Sequence, residues 1–279
     1  ASRLNRKEVK KMAVTNFIQT IWSKKIQDDL ELKCKLVDNC LRTYEGDIEH
    51  ARSVKILGVG EPTISAYNGS TPLNYEQMSD KGQTLTIDQQ YSFSFLVDDV
   101  NQAQSVPGLM EEYQRKAVHG LAVKRDSYIA SLIKAEETNV TTATGNDKDA
   151  VKEAIDEAIV ALRERNFDED GVIEITPAVY NVFKNCLITL STDNPEYIKK
   201  GKVGVYDGFD VIMSNNMAKD AGHAYCAVRG KKAIAFAGQI NKVEAMRSED
   251  YFADLVRGLD TFGAKTIDAA RLQVVKIPV

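Results

Sequence analysis

A chain of 279 residues, 43% hydrophobic and 27% charged with a net charge of −4, is long enough to bury a sizeable core, and its charge excludes a surface that is basic throughout. No apolar run approaches the roughly 18 residues that a membrane span needs, and no apolar signal core opens the sequence, so the expectation is a cytosolic product with no membrane partner. The four cysteines, Cys34, Cys40, Cys186 and Cys226, show no CxxC spacing, which predicts reduced, mostly buried thiols rather than a disulfide framework or a zinc ribbon.

The opening ASRLNRKEVKKMAV carries Arg3, Arg6, Lys7, Lys10 and Lys11 against the single acid Glu8, with too few apolar groups to fold alone, and reads as a basic arm. Phe17, Ile18, Ile21, Trp22, Ile26 and Leu30 then recur mostly at steps of three and four, which predicts a short amphipathic helix or a docked arm. The only tryptophan lies there, so the segment is expected to anchor on something.

A strand at VKILGV is followed by a stretch with Pro62, Gly69, Pro72 and Gly82, whose punctuation breaks helices and makes turns. From 85 to 97 the odd positions read Leu85, Ile87, Gln89, Tyr91, Phe93, Phe95 and Val97, and the even ones from 84 to 94 are polar. Period-two alternation over this length predicts a half-buried strand of about 43 Å, far longer than the usual five or six residues. With the loop before it, the economical expectation is an extended two-stranded flap.

Ser105 and Pro107 open a predicted helix running to about Glu137, with Leu109, Tyr113, Ala117 and Leu121 at every fourth position and Met110, Val118, Ala122, Ile129, Leu132 and Ile133 widening the stripe. At about 45 Å it is a second oversized element. NVTTATGND reads as a polar linker and domain boundary. Val151, Ala154, Ile155, Ala158, Ile159 and Leu162 predict a second helix ending near Asn166. A strand VIEI precedes Thr176 and Pro177, read as N-cap and first residue of a third helix. Asp207 and Gly208 separate VGVY from FDVIMS as a two-residue hairpin turn. Further strands are expected at HAYCAV, KAIAFA, KVEAM and LQVVKI, which makes the second region α+β.

The candidates for chemistry are few. Asp98 and Asp99 sit where a strand hands over to a loop and fit turn or capping roles. His50, His119 and His223 are far apart in sequence, and His223 with Cys226 is a single HxxC pair inside a predicted strand. No GxSxG elbow, P-loop or GxGxxG pattern occurs, so no enzyme, cofactor or metal is expected. A soluble enzyme or small-molecule binding protein would require a convergent polar pocket around Asp98, Asp99 or His223. The oversized strand and helix, with an arm and flap that cannot bury their apolar faces in one compact monomer, point instead to large interfaces between copies.

The stretches NFIQTIWSKKIQDDL, LTIDQQYSFSFLVDDVNQAQ, VYDGFDVIMSNNM and AIAFAGQINKVEAMRSEDYFADLVRGLDTFGAKTI together resemble the major capsid proteins of tailed bacteriophages, the Hong Kong 97-type fold. The resemblance implies an N-terminal arm (1–45), an extended β-hairpin loop (46–95), a peripheral domain with a long spine helix (96–146 and 239–279) and an axial α+β domain (147–238). It implies a homo-oligomer of hexamers and pentamers closing an icosahedral shell around double-stranded DNA, a scaffolding protein or portal as partner, and a place in the virion capsid after synthesis in the cytoplasm of a bacterial host. Inter-subunit contacts are then expected from Phe17, Ile21 and Trp22 in the arm, from Tyr67, Leu73, Tyr75, Met78 and Lys81 in the loop, and from Tyr91, Phe93 and Phe95 at its root. Arg3, Arg6, Lys7, Lys10 and Lys11 would face packaged DNA through phosphate attraction without base readout. Some members of that family join a loop lysine to an asparagine of a neighbour with the help of a nearby carboxylate; Lys81 stands at a plausible place for the lysine, but neither the asparagine nor the carboxylate is matched, so no covalent cross-link is expected. The same fold also builds encapsulins, cellular nanocompartments, which is the alternative reading.

Overall fold

The computed structural model describes residues 30, 33–44, 53–56, 82–98, 109–184, 202–220, 222–247 and 253–279. Strand β1 (Ser53–Ile56) pairs antiparallel with β2 (Gln83–Thr86), and Val54, Ile56, Leu85 and Ile87 form a small core with Ala235 and Ala237. Strand β3 (Gln89–Asp98) follows at once but enters a different sheet. The predicted continuous strand over 85–97 is therefore two strands, broken at Ile87 and Asp88. The cause is a backbone crossing. A Cβ on Gly263 would lie 2.1 Å from the Thr86 carbonyl oxygen and 2.9 Å from the Ile87 Cα, so only glycine lets that chain pass over the break.

Helix α1 (Leu109–Ala135) is the long helix the periodicity predicts, about 40 Å at 1.5 Å per residue. β4 (Val140–Thr142) falls within the stretch expected to be a linker; it is a strand because it pairs in parallel with the last strand of the chain. α2 (Lys148–Glu164) buries Val151, Ala154, Ile155, Ala158, Ile159 and Leu162, and Asn166, at φ 59°, turns the chain out of it. After β5 (Gly171–Ile175), the Thr176 hydroxyl accepts the Val179 N–H at 3.3 Å and caps α3 (Pro177–Phe183), whose proline sits where no backbone donor is needed. β6 (Lys202–Tyr206) and β7 (Phe209–Met213) form the predicted hairpin, with Asp207 at φ 48° and Gly208 at φ 85° supplying the left-handed turn.

β8 (His223–Gly230), β9 (Ile234–Arg247), β10 (Ala253–Thr266) and β11 (Leu272–Pro278) complete the chain. The six-stranded sheet runs β4-β11-β8-β5-β7-β6, and the three-stranded sheet runs β3-β10-β9. The segment 239–279, expected as one peripheral piece, is thus divided: its last strand lies inside the sheet of the second region. The reason is that this strand is apolar on both faces. Leu272 and Val274 belong to the core under α1, while Val275 and Ile277 belong to the core under α2, so β11 carries apolar side chains on both faces and does not alternate apolar with polar. KAIAFA and KVEAM, expected as separate strands, are one 14-residue strand with an irregularity opposite Leu259 and Asp260. Helix α1 packs on both sheets at once, its buried residues sharing one core with Phe236, Val256 and Phe262 of one and Ala227, Leu272 and Val274 of the other.

Candidate inter-subunit surface and the clasp behind it

The three-stranded sheet has two unlike faces. On one, Tyr91, Phe93 and Phe95 are half-buried against α1 and β10 of their own chain. Tyr91 stacks on Phe262 at 5.7 Å, Phe95 on Tyr113 at 5.7 Å, and Phe93 neighbours Phe95 at 6.3 Å. These rings therefore find their main partners inside the subunit, and the length of the strand needs no neighbouring surface to explain it.

On the other face, even positions of β3 and odd positions of β10 turn outward. Leu96 pairs in register with Leu255, which pairs with Met246, and Leu259 lies opposite Ser92. Leu96 is 46% exposed and Met246 45%, so with Leu255 between them an apolar row crosses the sheet in contact with solvent, and Leu259, 37% exposed, lies four residues further along β10. Beside it a shallow groove of about 330 Å³ is lined by Ser92, Ser94, Glu244, Arg257 and Leu259. Arg257 donates to the Glu244 carboxylate at 2.6 and 2.9 Å. The ion pair therefore lies between the Leu96–Leu255–Met246 row and Leu259, and apolar side chains left to solvent on both sides of it mark a candidate association surface. The sequence reading missed Leu96, Met246 and Leu259 because the aromatic face of β3 carries the louder signal. The available clue was Leu96, an apolar residue in a row otherwise made of Gln90, Ser92 and Ser94.

Behind this sheet, residues 35–41 form a strap held by buried charges. The Asp126 carboxylate on α1 accepts the backbone N–H groups of Lys35, Leu36 and Val37 at 3.1, 3.1 and 3.3 Å, and the Asn216 amide at 3.2 Å. Arg229 on β8 donates to the carbonyls of Asn39 and Leu36 at 2.7 and 3.1 Å and forms a two-point pair with Glu174 on β5 at 2.6 and 3.0 Å. Both members of that pair are fully buried. A second buried pair, Arg125 with Asp260 at 2.5 and 2.9 Å, locks α1 to β10, and the guanidinium lies 5.5 and 5.8 Å over the rings of Phe236 and Phe262. Finally, Leu41 exchanges backbone hydrogen bonds with β9 at Ile234 and Phe236. The strap thus ties the long helix to both sheets. Burial pushes the carboxyls of Asp126 and Glu174 above their ordinary range, against the lowering effect of their donors, and the carboxylate of Glu174 raises the Arg229 guanidinium against burial.

The remaining expected site residues separate cleanly. Phe17, Ile21, Trp22, Tyr67, Leu73, Tyr75, Met78, Lys81 and the basic Arg3, Arg6, Lys7, Lys10 and Lys11 lie outside the described residues, as do His50, Asp99 and Cys186. Asp98 ends β3 opposite Ala253, whereas His223 opens β8 in the other sheet, its Nδ1 3.7 Å from Asp220. Cys34, Cys40 and Cys226 are buried free thiols; burial pushes Cys40 up to about 11 and Cys226 to about 12, so neither is a poised nucleophile. Among the described residues no group of His, Cys, Asp and Glu could hold a metal ion, and no helix is long and apolar enough to cross a membrane.

A protein-family model described as a phage capsid protein matches residues 82–275. No match is found among curated proteins. Among solved structures, the chain is similar to one from Mycobacterium phage Che8, with 27% identity over 86% of this chain and 90% of that one and a TM-score of 0.68. The capsid of the cyanophage P-SCSP1u matches with 15% identity over 86% and 85% of the two chains and a TM-score of 0.64. A virus-like particle from Pyrococcus furiosus matches with 13% identity over 92% and 99% and a TM-score of 0.57.

Proposed function

This chain belongs to the phage capsid protein family and carries the α+β Hong Kong 97-type fold, and from that premise we propose that it closes, through hexamers and pentamers, into an icosahedral shell around double-stranded DNA. The observation that carries the reading is the exposure of Leu96, Met246 and Leu259 on the sheet face turned away from α1. A subunit that lives alone in water has no use for such exposure, whereas a shell subunit buries these side chains against its neighbours.

Rigid subunits joined by adaptable segments can build both fivefold and sixfold rings. The strap supplies the rigid part, since it ties the long helix to both sheets. Arm residues Phe17, Ile21 and Trp22 and loop residues Tyr67, Leu73, Tyr75, Met78 and Lys81 are assigned to the adaptable part, each reaching onto a neighbour. Arg3, Arg6, Lys7, Lys10 and Lys11 are assigned to the interior, facing phosphate. A scaffolding protein or portal would set shell size and the site of DNA entry.

The test is electron microscopy of the purified chain, expressed alone and with its scaffold. Rings, shells or tubes are expected, and deletion of residues 63–83 should leave a soluble, folded subunit that forms none. A stable monomer under every condition tried would defeat the reading. Likeness to the virus-like particle keeps a second reading in view, a cellular nanocompartment. Particles that contain a peptide-tagged enzyme instead of DNA would assign the chain to it.

A further inference from the structure

The exposed face of α1 is basic, while the chain as a whole is acidic. Lys116, Lys124 and Lys134 all project to solvent from it. Lys116 and Lys134 are five helical turns apart and so share one side of the rod about 27 Å from each other, with Lys124 between them and to one flank. Arg115, with a side chain 63% exposed, and His119 lie on the other flank. Lys33 adds an ammonium at one end, where it donates to the Arg115 carbonyl at 3.2 Å, and Lys276 adds one at the other, 5.6 Å from the Tyr225 ring that Lys134 also overlies at 5.1 Å.

The acids that answer these cations are few. Glu112 holds Arg115 at 2.8 Å, and Asp220 lies 3.6 Å from Lys134 while accepting the Tyr225 hydroxyl at 2.6 Å. Lys116 and Lys124 have no carboxylate at ion-pair distance among the described residues. Between the lysines stand Gly120, Ser127 and Ser131, exposed and too short to hold a straight rod of charge away. The contrast with α2 shows that this is not the general character of the surface: there Asp149, Glu153, Glu157 and Glu164 are exposed beside Lys148, Lys152 and Arg163.

A row of ammonium groups about 27 Å long, with Lys124 lying 5.7 Å over the Tyr91 ring and Lys134 5.1 Å over Tyr225, suits one ligand class: the phosphate backbone of duplex DNA, bound without regard to sequence. We propose that the outer face of α1 is a contact surface for duplex DNA enclosed by the shell. This rests on the capsid reading and deepens it, because it orients the subunit. The α1 side of the three-stranded sheet faces inward, and the apolar sheet face is left for neighbouring subunits.

The test is fluorescence anisotropy of a labelled 30-base-pair duplex of mixed sequence with the full chain between 50 and 200 mM KCl. The comparison is wild type against K116Q/K124Q/K134Q, each also on a background with the five arm cations replaced by glutamine. The three lysines are exposed, so circular dichroism should be unchanged. Each phosphate that a lysine neutralises steepens the fall of log K with log salt by about 0.9, so the triple variant should show a slope shallower by about 2.7 and lose about forty-fold less affinity over that range. Superimposable slopes on both backgrounds, with the fold intact, would overturn the proposal. Shell formation is scored on the same preparations: shells from a variant whose slope equals the wild type defeat the DNA contact alone, whereas absence of shells from every preparation defeats the capsid reading itself.

Discussion

Asp126→Asn is the sharpest probe of the strap, because the substitution keeps shape and removes only the charge and one acceptor. The carboxylate holds Leu36 and Val37 through Oδ1, and Lys35 and Asn216 through Oδ2. An asparagine oriented to keep the first pair turns its NH2 group toward the second, so two charge-assisted bonds become donor facing donor. At about 1.5–3 kcal/mol per charged hydrogen bond, the loss is about 3–6 kcal/mol. The carboxylate itself bears a desolvation cost, visible in its upward-shifted carboxyl, and relief of that cost returns about 1–2 kcal/mol. The net expectation is about 2–4 kcal/mol lost from the docking of the strap. Native-state hydrogen exchange reads it best at the amides of Cys40 and Leu41, whose own acceptors, the carbonyls of Val37 and Ile234, are untouched by the substitution. Their exchange should accelerate about 30- to 700-fold, at about 1.4 kcal/mol per factor of ten. Acceleration below twofold would show that the strap is held by something other than Asp126, and the tie between the long helix and both sheets would need another cause.

Arg229→Met should destabilise the subunit by about 3–5 kcal/mol in urea, since Glu174 is left buried and unpaired, and adding Glu174→Leu should recover part of that, the Asn39 and Leu36 carbonyls still lacking the Arg229 donors; a double variant no better than the single would refute the pairing argument. Gly263→Ala should cost about 3 kcal/mol, since its Cβ meets backbone rather than a movable side chain, and thermal unfolding within 1 °C of wild type would contradict the crossing. Asp220 is held down at about 2, chiefly by the Tyr225 hydroxyl, so its share of stability is present above the ordinary aspartate range and is lost as pH falls toward 2. A carboxyl-carbon titration with its midpoint near 4 would count against that hydrogen bond. Leu259→Glu and Leu96→Glu should leave the subunit's melting temperature within a few degrees while abolishing shells in electron micrographs; undiminished shells would remove the sheet face from the interface.

The sequence showed its local devices well. The Asp207–Gly208 turn, the Thr176 cap before Pro177 and the apolar stripe of α2 each rest on residue types with one dominant conformation, and each stands where it was expected. What stayed hidden was β10, the central strand of the sheet that bears the candidate interface. Its inward row reads Val256, Gly258, Asp260, Phe262 and Ala264, and the glycine and the aspartate break the apolar alternation that a strand search follows. Asp260 belongs in that row only because Arg125, 135 residues earlier, is there to meet it. The strap was hidden for the same reason: Asp126 and Arg229 look like surface charges until the fold brings the backbone of residues 35–39 to them. Charged residues that serve the core are invisible to periodicity, because their partners are set by tertiary structure.

The central claim is that this chain is a shell subunit whose exposed sheet face is closed by other copies. Cryo-electron microscopy of the particle assembled from the wild-type chain tests it directly. The expected result is a closed icosahedral shell in which Leu96, Met246 and Leu259 are covered by another subunit. A particle in which those side chains face solvent in every subunit, or a chain that remains a monomer with and without scaffold, would contradict it.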